Sequence, residues 1–290
     1  MSINSQEDPF GSLEELKEEP TNKKGMWSTK MSIILPLASY LLIAILGNIV
    51  FLIIAFSLGI SDIQAMTSSP LFFIVSILLE LVFILVPVVY IKKFLREPTV
   101  KARLDLLGFT TKDIHLKGIS KEIIIGLIFG IASLFIVNVV TFFTQILIEL
   151  LFPVSIETVS PGPSVDYIRP QSLFFLILTV ILMFLVVAPS EEILFRGFMQ
   201  QGLVSNLGQK TGVYLSALIF SLIHLTGIFL QTNQAPLSLL ASFILSFVPY
   251  FTISFILGKV FEWRDENLIS VIIIHGLYNA AIFILLFFYF

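Results

Sequence analysis

The chain has 290 residues, of which 57% are hydrophobic and only 13% charged, with a net charge of -3, and its mean hydropathy is +0.98. An ordinary globular chain is about 25% charged, so there is too little polar surface here to wrap such a core in water, and disorder and collagen-like structure are excluded by the same numbers. The absence of cysteine removes a disulfide framework, a thiolate metal site and a cysteine nucleophile, and no basic stripe points to nucleic acid. The composition is that of a polytopic membrane protein in a lipid bilayer.

In chain order, the first 30 residues are acidic (Glu7, Asp8, Glu14, Glu15, Glu18, Glu19), unlike the basic n-region of a secretory signal. They read as a cytosolic tail; Ser12 followed by Glu15 fits a capping box and leaves a short surface helix open. A bilayer core needs about 20 mostly apolar residues in a helix. Seven stretches qualify, at approximately 33–58, 70–91, 123–152, 171–190, 213–229, 237–258 and 267–289. The third is over-long, and Gly126 and Gly130 within it suit close helix packing. The fourth runs into an amphipathic continuation, 191–203, which either bends at Pro189 or counts as an eighth helix. The expected fold is therefore an all-α transmembrane bundle in three parts: the tail 1–30, the first helices with a basic loop over 31–119, and a C-terminal transmembrane unit over 120–290.

With the N-terminus in the cytoplasm and seven crossings, 16 of the 17 Lys and Arg fall on the cytoplasmic side, and Arg169 alone lies outside. This positive-inside pattern predicts N-in, C-out topology with a cytosolic 92–121 loop. It accounts for most of the basic residues as topology determinants.

Ionisable groups at membrane depth are expensive, about 2.5–3.5 kcal/mol each on insertion scales. Those expected here are Glu80, Glu149, Glu191, Glu192, Arg196, His224 and His275, with Asn138, Gln145 and Asn279 adding neutral polarity; His115 lies in the basic loop. Glu192 and Arg196 stand at i and i+4, so they share a helix face and can pair. Glu191 is rotated about 100° away and is left free to act as a general base, or, blandly, the two Glu are simply wet at a helix end. His224 lies in an apolar helix, where it could serve the chemistry or hydrogen-bond a neighbouring carbonyl. His275 and Asn279 again share a face, with Gly276 leaving room beside them. That suits an oxyanion site, a metal site or an interhelical pair. No G-x-S-x-G or H-E-x-x-H is present, and Asp is nearly absent from the spans.

Glu191-Glu192-x-x-x-Arg196, Phe220-x-x-x-His224 and His275-x-x-x-Asn279, in that order on successive helices, resemble the CPBP family of intramembrane proteases, the CAAX prenyl endopeptidases and their bacteriocin-processing and immunity relatives, across roughly 120–290. The resemblance implies an endopeptidase of membrane-associated peptides or proteins in a plasma membrane, read here as bacterial. It implies Glu191 as the base that activates water, helped by His224, His275 and Asn279 as oxyanion stabilisers, and Glu192 and Arg196 as supports. Members of the family carry both metalloprotease and metal-free glutamate descriptions. The reading leans to the metal-free one, while zinc on Glu191, His224 and His275 stays open on ligand count. Two rivals remain: an idle family member acting as a scaffold or immunity protein, and a carrier using Glu80 and Glu149, which the lack of an internal repeat weakens.

Overall fold

The computed structural model describes residues 27–59, 70–110, 116–152, 170, 172–226, 228 and 235–289. The acidic tail before residue 27, His115 and Arg169 lie outside them. Every regular element among the described residues is helical: α1 Thr29–Leu58, α2 Pro70–Leu79, α3 Val82–Tyr90, α4 Val100–Leu106, α5 Leu116–Leu151, α6 Leu173–Leu207, α7 Gln209–His224, α8 Pro236–Trp263 and α9 Ile269–Tyr289, with a 3-10 turn at Ile91–Phe94. The protein is an all-α, polytopic membrane bundle. Large apolar side chains such as Phe56, Phe135 and Leu150 stand exposed on its outside, as a lipid-facing surface requires.

Among the described residues, six helical segments are long and apolar enough to cross a membrane, one of them α2 and α3 together as Leu71–Phe94. The expected count was seven. The difference is the stretch 213–229, whose helix α7 has only 16 residues and stops at His224. The expectations of an over-long third span and of close packing at its glycines agree with the structure: α5 has 36 residues. A Cβ at Gly126 would lie 2.6 Å from Ile273, and one at Gly130 would lie 2.7 Å from Leu277, both on α9. Only hydrogen at those positions lets α5 and α9 run parallel at this separation.

The segment 191–203 continues the fourth helix and is not a separate one. α6 continues through Pro189 with two π-helical stretches, Met183–Val187 and Ile193–Gln200. Proline has no N–H and its ring crowds the preceding turn. Widening the turn ahead of it, with the Ala188 N–H donating to the Met183 carbonyl, keeps the helix going. Nor does this segment carry an exposed polar face. All residues from Ser190 to Leu203 are buried, so this stretch of α6 is closed in on every side.

Contacts between distant residues collect at one end of the bundle. The Trp27 indole N–H donates to the Phe198 carbonyl at 3.1 Å, and the two rings stack. The Leu268 N–H donates to the Gly108 carbonyl at 3.0 Å, an approach so close that a Cβ at Gly108, which has φ of 84°, would strike the Glu266 carbonyl. Arg264 donates to both carboxylate oxygens of Glu122 on α5. This bond to Glu122 raises the guanidinium above its ordinary value, so Arg264 ties α8 to α5 as well as marking an end of the bundle. Arg196 also departs from the topology reading, because it is fully buried inside the bundle.

Candidate active site

α6 and α7 form a hairpin about Gly208, whose φ of 82° suits the turn. Glu191 lies 16 residues before Leu207, and His224 lies 15 residues after Gln209. At about 1.5 Å per residue these arms are nearly equal, and so the carboxylate and the imidazole arrive level with each other. A span ending at residue 190 would leave Glu191 at the end of its helix, short of the depths of His224 and His275. The continuous α6 removes that difficulty.

Glu192 and Arg196 pair at 3.0 Å, each with a side chain 0% exposed. Arg196 also donates to the Ser254 hydroxyl at 2.9 Å and to its carbonyl at 3.1 Å, and its guanidinium lies 4.6 Å from the Phe220 ring centroid. The Glu192 oxygen that accepts from Arg196 also meets Nδ1 of His275 at 2.6 Å. His275 is thus oriented by a carboxylate on α6, a partner that its spacing to Asn279 did not suggest. Gly276 does not leave this face open as expected. A Cβ there would fall 2.5 Å from the Phe184 ring, so the glycine admits α6 rather than a ligand.

Glu191 points the other way. Its Oε2 is 3.9 Å from Nε2 of His224 and 3.7 Å from Nε2 of His275, and it is buried with no hydrogen-bond partner. Nδ1 of His224 lies 2.8 Å from the Phe220 carbonyl, which can only accept. That nitrogen therefore carries the proton in the neutral ring, and Nε2 presents a lone pair. The His224 ring packs between Phe220 and Tyr250. Separations of 3.7 and 3.9 Å are too long for direct hydrogen bonds and short enough for one water to touch all three groups.

Glu191, His224, His275 and Asn279 border a common cavity of about 480 Å³ that is otherwise largely apolar. Glu80, Tyr250 and Tyr278 share its wall. Glu80 had stood out in sequence as an acid inside a span; the two tyrosines had no signal, since each sits in an apolar run. Glu149 is exposed near the end of α5, and Asn138 donates to the Leu134 carbonyl of its own helix; neither borders the cavity. Among the described residues no group of three or more His, Cys, Asp or Glu is arranged to hold a metal ion. A metalloprotease is thus unsupported among the described residues.

Residues 173–281 match the model of a family described as type II CAAX prenyl endopeptidase Rce1-like. That match supports a CPBP/CAAX intramembrane protease family for this part of the chain. The match opens with the first residue of α6 and closes within α9, so it takes in all three motifs and the cavity they border. It is narrower than the 120–290 expected, leaving α5 outside. Comparison with curated proteins and with solved structures gave no match. The match, together with the apolar helices, supports a CAAX-protease-type enzyme integral to a membrane.

Proposed function

We propose that this protein is a membrane-embedded endopeptidase that hydrolyses peptide bonds of membrane-associated peptides or proteins, without metal, with Glu191 as the base. The observation that carries the reading is the convergence of Glu191 Oε2 with Nε2 of His224 and His275 at 3.9 and 3.7 Å on the wall of a cavity. A water held among them gives hydrogen bonds to the Glu191 carboxylate and to the lone pair of His224 Nε2. As its oxygen bonds to the carbonyl carbon, its proton passes to Glu191. The carbonyl oxygen gains negative charge, and the Asn279 amide and, when protonated, His275 Nε2–H supply donors to it. Glu191 then returns the proton to the amide nitrogen, and the C–N bond breaks to leave a carboxylic acid and an amine. Glu192 holds the His275 ring by Nδ1, and Arg196 balances the Glu192 charge.

We place the basic end of the bundle in the cytoplasm and count the short α7 as a seventh crossing, which puts the N-terminus inside and the C-terminus outside. The decisive experiment uses the full chain in vesicles with an apolar peptide mixture in ¹⁸O-water, read by mass spectrometry. New C-termini carrying ¹⁸O are expected with wild type and absent with Glu191→Gln at equal folded protein. Equal product from the Glu191→Gln variant would end the assignment of the base.

A further inference from the structure

The second leg of the bundle is interrupted at Glu80. α2 ends at Leu79 and α3 begins at Val82. Between them the backbone steps through short i to i+3 contacts: the Glu80 N–H donates to the Ile77 carbonyl at 3.1 Å, the Leu81 N–H to Leu78 at 3.2 Å and the Phe83 N–H to Glu80 at 2.8 Å. The local sequence, Ile77-Leu78-Leu79-Glu80-Leu81-Val82, has neither the proline nor the glycine that usually breaks a helix. Irregular backbone at membrane depth survives where it is buried in protein or lines a cavity. Here it lines the cavity of Glu191.

Oε2 of Glu80 and Oε2 of Glu191 are both cut off from solvent and lack a hydrogen-bond partner, Glu191 being only 8% exposed. No Lys or Arg among the described residues borders the cavity; Arg196 is engaged by Glu192 and Ser254. The remaining wall offers aromatic rings, among them Phe73, Phe220, Tyr250, Tyr278 and Phe283. Two carboxylates and several π faces around a water-poor space favour a cation, because attraction between opposite charges grows as the surroundings become less polar.

We infer that Glu80 is a specificity residue that receives a basic side chain, Lys or Arg, carried by the peptide substrate close to the scissile bond. Bound there, the cation offsets the Glu80 charge and sets the register of the peptide. The inference rests on the endopeptidase reading.

The test uses the full chain in phosphatidylcholine vesicles and two series of apolar peptides, identical except for one residue stepped through successive positions. That residue is Lys in one series and its uncharged analogue norleucine in the other. Binding and cleavage are both measured for wild type and Glu80→Gln. One register is expected in which Lys lowers KM at least about tenfold, with kcat little changed. In Glu80→Gln that preference disappears, while the norleucine peptides are handled as by wild type. The inference is overturned if no register prefers Lys, or if Glu80→Gln slows both series equally. Cleavage without any preference for Lys leaves the endopeptidase standing and removes the cation site. Glu80-dependent binding of the Lys peptides with no cleavage of any peptide does the reverse.

Discussion

Replacing Glu192 by Gln keeps the shape of the side chain and removes its charge. The partner left behind, Arg196, is 0% exposed and cannot recover water. Breaking a buried ion pair by taking away one member costs about 3–5 kcal/mol. Arg196 retains its bonds to Ser254 and the face of Phe220, and the Gln carbonyl can still accept, so the lower end applies. A loss of about 3 kcal/mol lowers the folding equilibrium by about a hundredfold. The measurement is equilibrium unfolding in mixed micelles titrated with SDS, where Glu192→Gln should unfold at a clearly lower SDS fraction than wild type. Adding Arg196→Met to Glu192→Gln removes the stranded cation and should restore much of the stability, because an apolar pair of similar volume often replaces a buried salt bridge without loss. Turnover should stay low in both, since His275 has lost the carboxylate that orients it. The reasoning fails if Glu192→Gln unfolds together with wild type, or if the double variant is less stable than the single one.

Three further outcomes are expected. Strong chelators should leave the purified protein active; stoichiometric zinc in active protein that is lost in His224→Ala would overturn the metal-free mechanism. Asn279→Ala should lower turnover by about 10²–10³ with substrate binding nearly unchanged, whereas wild-type turnover per folded molecule would reduce Asn279 to helix packing. A reporter fused after Phe290 should be extracytoplasmic, and a cytoplasmic signal would contradict an odd number of crossings with the N-terminus inside.

The sequence by itself determined the class of the fold, because a hydropathy of +0.98 and runs of about 20 apolar residues leave helices as the way to satisfy the backbone in lipid. It also determined the pairing of Glu192 with Arg196, since an i, i+4 relation is a property of one helix and needs no knowledge of its neighbours. The three motifs and their order were legible too, and the family match falls on them. Only the tertiary structure decided how those motifs meet. The passage of α6 through Pro189 depends on π turns whose spacing no hydropathy window registers. The end of α7 at His224 leaves no mark in hydropathy, because Leu225 and Ile228 beyond it are apolar and buried as well. The bond from His275 to Glu192, the Phe184 ring seated on Gly276 and the entry of Glu80 into the cavity each join residues at least 83 positions apart in the sequence, with periodicity silent about all of them. Spacing along one helix is set by local geometry; which faces of different helices come together is set by how the whole bundle packs.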